Sequence, residues 1–158
     1  MATIKSYTDL SQSRKLAEIL PLESADGFWE YHEKWCSEGD EWEGYEDYPR
    51  AEPYLEYTRK ENEWKEDKSD VPCWSLSALM QLLPSEFTEK GKYSETTYNI
   101  RIRKYVLTTD VYQIAYGNYK FYEDGSSSWK DMINTGEKEN IIDCCYEMIL
   151  KLKEKDLL

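Results

Sequence analysis

The stretch Val71–Pro84, VPCWSLSALMQLLP, is the central segment in which a helix start signal, an apolar spacing and a stop signal agree. Pro72 favours an extended chain before the helix, Ser75 can cap its first turn, and Pro84 ends the apolar run. These signals predict a short buried helix over about 75–83.

The apolar residues of this helix are spaced to share one face, because side chains three and four residues apart are neighbours on a helix. They are Leu76, Leu79, Met80 and Leu83. Trp74, which precedes the cap, can pack on Leu79 as a hydrophobic staple. We therefore expect the terminal helices and the sheet to pack on this central helix.

Two further helices are predicted near the ends of the chain. The first covers about 8–20, with Ser6 or Thr8 as its cap and Pro21 as its stop. The second covers about 140–155, is capped by Asn140 and carries late lysines that suit the helix dipole. Its predicted buried stripe is Ile141, Cys144, Cys145, Met148, Ile149 and Leu152.

Strand patterns lie between these helices. Aromatic residues in 27–35 favour a strand, and alternation in 98–107 and in 111–122 predicts a β-hairpin near 98–122. We expect a polar connection over 85–94, and either a third strand or a loop near 126–129. The predicted fold class is α+β, with a small antiparallel sheet that includes the hairpin and packs against the three helices.

Length and composition suit one folded domain over 1–158. The 158 residues include 33% charged residues and have a net charge of -12, but 6 Trp, 14 Tyr and 3 Phe supply apolar surface for a core. Because an acidic chain repels phosphate backbones, we expect no direct binding to nucleic acid.

Residues 37–70 form an acidic segment that is rich in aromatic residues. It contains 13 Asp or Glu against 5 Lys or Arg, a net charge of -8. It is predicted as an insertion in the domain, and it is either a solvated excursion whose tyrosines cover a sheet edge or a binding surface. As a binding surface, its candidate residues are Trp42, Tyr45, Tyr48, Tyr54, Tyr57, Trp64, Glu41, Glu43, Glu46 and Asp47.

Several features predict a cytoplasmic protein without metal or cofactor. There is no apolar run of about 18 residues, and the start MATIKSYTDL lacks the apolar core of a signal peptide, so no membrane association is expected. The cysteines lack a paired spacing and are interpreted as small buried hydrophobes. The alternative is a zinc site formed by His32, Cys36, Cys144 and Cys145.

Four stretches together resemble a group of short uncharacterised proteins from gut Bacteroides and from their phages or other mobile elements. They are IKSYTDLSQSRKLAEILPLESAD at the start, PCWSLSALMQLLP in the middle, YNIRIRK in the first hairpin strand, and IIDCCYEMILKLKEKDLL at the end. The resemblance implies a small accessory protein carried by a mobile element. It implies no activity and no site residues.

The sequence carries no catalytic signature, so we expect a non-enzymatic module. His32 and Cys36 could form a catalytic pair on paper, but their acidic surroundings disfavour a reactive thiolate. The favoured hypothesis is a protein-interaction module that docks on a basic host or defence protein, as a DNA mimic does. The alternative is a small-ligand binder or minor enzyme with a pocket lined by Tyr and Trp, in which Arg101 and Arg103 bind an anion. For the two arginines themselves, we favour a position on the solvent face of the hairpin, where they pair with the acidic segment. The oligomeric state is not predicted.

The cysteine pattern generates a first prediction. The four thiols are expected to be free in the native protein and zinc is expected to be absent, since no paired ligand spacing occurs. Mass spectrometry of the native protein under non-reducing conditions measures both. A native disulfide, or stoichiometric zinc that survives dialysis, would contradict this prediction.

Overall fold

The computed structural model describes residues 5–35, 41–45, 70–106 and 110–158. These ranges contain three α-helices and eight strands, all paired antiparallel, so the predicted α+β class is confirmed. Contacts group the chain into two compact units, Ser6–Ala78 and Leu79–Leu158 with the first five residues. The expectation of a single domain stays a prediction.

The unit Ser6–Ala78 combines one helix with two short strand pairs. Its elements are α1 (Leu10–Ala17), a 3-10 turn (Leu22–Ser24), β1 (Gly27–Trp29), β2 (Tyr31–Trp35), β3 (Glu41–Tyr45) and β4 (Val71–Cys73). β1 pairs with β4, and β2 pairs with β3. The strand predicted over 27–35 is therefore present as two strands that are interrupted at Glu30 and have different partners.

Trp74 follows β4 and is fully buried. Its backbone N–H donates to Thr8 Oγ1 at 3.2 Å, and its carbonyl accepts from the Thr8 N–H at 3.0 Å. Its indole Nε1 donates to Ser24 Oγ at 2.9 Å. Because a buried polar group without a partner is costly, these bonds allow the large ring to be buried beside α1 and the 3-10 turn.

The start of α1 differs from the prediction, because Asp9 is the cap and not Ser6 or Thr8. The Asp9 carboxylate accepts from the Gln12 N–H at 2.9 Å, and the Gln12 side chain accepts from the Asp9 N–H at 3.2 Å, which completes a capping box. The Thr8 hydroxyl is used elsewhere, in bonds to Ser13 and Trp74. The helix is consequently shorter than the predicted 8–20.

The central helix is present as α2 (Leu76–Leu82), as predicted, and Ser75 caps it by accepting from the Ala78 N–H at 3.3 Å. Asp26 holds Ser75 by accepting from its backbone N–H and its hydroxyl. The predicted buried face is wrong at Leu76, which is 36% exposed, and Met80 is only half-buried, whereas Leu79 and Leu83 are buried. Successive residues are about 100° apart on a helix, and the buried face here includes Ala78, which leaves Leu76 at its edge.

The unit that contains Leu79–Leu158 is built on a four-stranded antiparallel sheet in the order β5-β6-β7-β8. Its elements are β5 (Glu86–Lys90), β6 (Glu95–Val106), β7 (Asp110–Phe121), β8 (Ser127–Asn134) and α3 (Ile141–Glu154). The hairpin predicted near 98–122 is confirmed as β6 and β7, and 126–129 leads into a third strand. The polar connection expected over 85–94 is wrong, because β5 pairs with β6.

One face of this sheet packs against α3. The register pairs Ile102 with Ile114 and Ile100 with Tyr116 on this face, where Ile114 and Tyr116 are fully buried. The Tyr116 hydroxyl donates to the Pro84 carbonyl, and burial, reinforced by the adjacent Cys145, raises its pKa. The apolar side chains of β7 and α3 therefore form the core of this unit.

The terminal helix is confirmed, with Asn140 as its cap through a bond of 2.9 Å from the Ile142 N–H. One member of its predicted stripe is wrong, since Ile142 is fully buried and Ile141 is only half-buried. The rest of the stripe is buried as predicted, at Cys144, Cys145, Met148, Ile149 and Leu152. Cys145 Sγ lies 3.7 Å from Met80 Sδ, so α3 reaches the last turn of α2.

The burial of Leu79 generates a second prediction. Leu79→Ala should lower the free energy of unfolding by about 2–5 kcal/mol, from lost transfer free energy and the cavity left behind. Leu76→Ala on the same helix is the matched control, and it should cost clearly less because Leu76 is partly exposed. Urea denaturation of both variants measures this. Equal losses in the two variants would refute the assignment of the buried face.

Candidate functional site

The second face of the four-stranded sheet carries a cluster of arginine and aromatic side chains. The register places Arg101 opposite Ala115, Arg103 opposite Gln113 and Tyr119 opposite Trp129. Because successive residues alternate between faces, these residues lie on the face opposite Ile114 and Tyr116. We call it the arginine–tryptophan face and define it as Arg101, Arg103, Gln113, Tyr119, Trp129 and Asp131.

Gly117 provides the space in which Trp129 lies. A Cβ atom added at Gly117 would be 2.9 Å from Cε2 of Trp129 and 2.2 Å from the Lys130 carbonyl oxygen. Any side chain larger than hydrogen would therefore collide with β8. The register shifts between Tyr116 and Gly117, and such bulges re-aim side chains of the strand. The indole is thus held close to the backbone of β7.

Asp131 joins the indole to Arg103. Its carboxylate accepts from Trp129 Nε1 and from Arg103 Nη2, the latter at 3.4 Å. The other guanidinium nitrogen, Nη1, donates to Gln113 Oε1 at 3.0 Å. With side-chain exposures of 24% and 22%, Arg103 and Asp131 form a half-buried ion pair that orients the ring. The role of Arg103 in this face is therefore to position Asp131 and, through it, the Trp129 ring.

Among the described residues, Arg101 differs from Arg103 in having no carboxylate partner. Its guanidinium carbon lies 5.4 Å from the centroid of the Trp129 ring, a cation–π contact. Among the residues that the structure describes, no acidic side chain forms an ion pair with it, and the residue is exposed. Its guanidinium is therefore accessible to solvent while it contacts the indole.

Exposed aromatic rings continue the face towards the end of β7. Tyr119 meets Trp129 edge-on, with ring centroids 5.3 Å apart and planes at 81°, and is 54% exposed. Phe121, two residues further on the same face, is 80% exposed. Exposed large aromatic residues beside a solvated arginine are the residue types that dominate binding interfaces.

The residues predicted from the acidic segment are only partly described. Glu41, Trp42, Glu43 and Tyr45 belong to β3, where Glu43 pairs with Glu33 of β2. The remaining six lie outside the described residues: Glu46, Asp47, Tyr48, Tyr54, Tyr57 and Trp64.

The described thiols are poor nucleophiles. Burial raises the pKa of Cys145 to about 12, and it also raises the pKa of Cys73 and of Cys144. Thiols that stay protonated at neutral pH lack the thiolate that nucleophilic attack requires. In the described ranges, no group of three or more His, Cys, Asp or Glu side chains is arranged to hold a metal ion. Cys36 and the His32 side chain lie outside them.

The fold defines the class of this protein as α+β, and comparison with known proteins adds nothing to it. The chain matches no protein-family model, no curated protein and no solved structure. Within the described part of the chain, no helix is long and apolar enough to cross a membrane.

Sequence reasoning missed most of the arginine–tryptophan face. It singled out Arg101 and Arg103 as an anion site but not Trp129, Tyr119 or Asp131. The alternation of Trp129 and Asp131 with exposed residues would have indicated a strand face. Their proximity to Arg101 depends on two strand registers, which the sequence does not reveal.

The close approach at Gly117 generates a third prediction. Gly117→Ala should destabilise the protein by about 1–3 kcal/mol, because the backbone of β8 and the Trp129 ring must move to admit a methyl group. Asn118→Ala, at the next position of β7, is the control without this clash. Chemical denaturation followed by tryptophan fluorescence measures the difference. If both variants are equally stable, the packing of Trp129 against Gly117 is wrong.

Proposed function

We propose that this protein is a non-enzymatic interaction module whose acidic segment docks on a basic protein partner. The observation that carries the proposal is the concentration of charge in residues 37–70, which hold a net -8 of the chain's -12 together with six Trp or Tyr residues. The strand β3 supports it, since acidic and aromatic residues occupy consecutive positions of one extended ladder there.

The two residue types would have different roles in such a complex. Clustered carboxylates raise the association rate with a basic surface, because charge attraction acts before contact. Aromatic side chains bury large apolar areas and hold the complex together once it has formed. Carboxylates arranged in this way replace the phosphates of a nucleic acid, so the partner would be a protein that itself binds DNA or RNA.

The resemblance to short proteins of gut Bacteroides, phages and mobile elements suggests the setting. An accessory protein carried by a mobile element benefits from occupying a basic host or defence protein. In this proposal the protein acts in the cytoplasm, where its thiols stay reduced.

A second candidate function is the binding of a small anionic ligand. The observation that favours it is the cation–π contact of Arg101 with Trp129, in the absence of a carboxylate partner among the described residues. Salt dependence separates the two candidates. Binding through many surface carboxylates weakens steeply as ionic strength rises, whereas binding of a small anion through the single guanidinium of Arg101 weakens much less.

The proposed function generates a fourth prediction, which concerns kinetics. Replacing Glu41, Glu43, Glu46 and Asp47 by their amides should slow association and flatten its salt dependence, with little effect on dissociation. Trp42→Ala or Tyr45→Ala should instead speed dissociation, by about 2 kcal/mol or more if either residue is a hot spot. Surface plasmon resonance over a range of salt concentrations separates the two rates.

The partner for this measurement comes from a pull-down at low salt from host lysate. The matched control is a second fourfold amide variant at exposed glutamates outside the segment, namely Glu23, Glu137, Glu139 and Glu154. It carries the same charge change and should still recover the partner. The proposal fails if the parent and the segment variant recover the same proteins. It also fails if the parent recovers nothing while a purified metabolite raises its melting temperature.

A further inference from the structure

We propose that the arginine–tryptophan face is a second docking surface, which binds a segment of a partner protein through a carboxylate. In this interaction Arg101 receives the carboxylate, and Tyr119 with Phe121 receives an apolar side chain of the same segment. The starting observation is an arginine without an acidic partner among the described residues, in a chain with 32 acidic residues.

Arg101 is held in a position suited to a carboxylate. Its guanidinium carbon lies 5.4 Å from the centroid of the Trp129 ring, and the ring is fixed by the close approach at Gly117 and by its bond to Asp131. An exposed guanidinium that has no acidic partner among the described residues keeps its N–H groups available for a bidentate bond to a carboxylate. Because the arginine is already ordered, binding loses less side-chain entropy than at a free surface arginine.

The neighbouring rings define what accompanies the carboxylate. Tyr119 and Phe121 lie two residues apart on the same face of β7, and both are exposed. In an extended peptide, side chains two residues apart also point to the same side, at a spacing of about 7 Å. A segment of the form Glu-x-Phe would therefore place its carboxylate at Arg101 of β6 and its ring against Tyr119 and Phe121 of β7.

Charge and exposure favour a protein segment over the other classes of partner. Residues 86–134 contain seven acidic and seven basic residues, so this sheet is neutral and lacks the excess of cations that nucleic acids require. Small-molecule sites enclose most of their ligand, whereas Arg101, Tyr119 and Phe121 are all exposed. Exposed arginine and aromatic side chains are instead typical anchors of protein interfaces.

This inference does not rest on the acidic segment. It involves residues of β6, β7 and β8 alone, and its variants leave residues 37–70 unchanged. Loss of binding to a basic partner would therefore refute the proposed function without affecting this surface. Likewise, failure of the arginine–tryptophan face to bind a carboxylate segment would leave the proposed function of the acidic segment unaffected.

The test is a titration of the isotope-labelled full chain, observed by nuclear magnetic resonance. The probe is the peptide acetyl-Glu-Ser-Phe-Ser-amide, and the control peptide carries Gln in place of Glu. Saturable shifts of the Arg101 Nε–H and Trp129 Nε1–H signals are expected, with binding weakened at least about tenfold for the Gln peptide, because charge-assisted bonds are lost. This comparison uses the unaltered protein and so does not depend on the folding of any variant.

Variants locate the site. Arg101→Gln should weaken binding of the Glu peptide at least about tenfold. Arg101→Lys should also weaken it, because an ammonium group lacks the planar N–H pair that forms a bidentate bond. Lys130→Gln removes the same charge from an exposed position on the opposite face and should bind as the parent does. The proposal is overturned if both peptides bind equally or not at all, or if Lys130→Gln weakens binding as much as Arg101→Gln. It is overturned in favour of nucleic acid if a short oligothymidylate, and not the peptide, shifts these signals.

Discussion

The antiparallel ladder between β6 and β7 is the constraint on which the larger unit depends. It pairs Ile102 with Ile114 and Arg101 with Ala115, so one register decides which residues form the core and which form the second face. A slip of one residue would exchange the two faces, which a buried face forbids. The small residues Ala115 and Gly117 on the second face leave room for side chains that come from the neighbouring strands.

In the unit Ser6–Ala78, the corresponding constraint is the satisfaction of polar groups around Trp74. Thr8 bonds the Trp74 backbone in both directions, and its carbonyl accepts from the Trp29 indole at 3.2 Å. A buried threonine thus connects the segment before α1 to β4 and to the end of β1. Each of these bonds compensates for a group that burial removes from water.

The two proposed surfaces separate opposite kinds of chemistry along the chain. The acidic segment concentrates carboxylates, and in the proposed function these would act at long range and depend on ionic strength. The arginine–tryptophan face has one cation without an acidic partner in the described ranges, and as proposed it would act at contact through directional bonds and exposed rings.

Local patterns in the sequence determined the α+β class, the central and terminal helices with their caps Ser75 and Asn140, and the β6–β7 hairpin, since each depends on signals within a few residues. Tertiary structure decided what depends on distant partners. Asp9 caps α1 because the Thr8 hydroxyl accepts a hydrogen bond from the Trp74 N–H. The polar stretch 86–90 forms strand β5 because it pairs with β6. The candidate binding residues divide in the same way. The acidic segment can be recognised from composition alone. Arg101 contacts Trp129, 28 positions later, only because two strand registers bring both residues onto the face that carries Gly117. Composition and periodicity are local, whereas register is set by which side chains can be buried together.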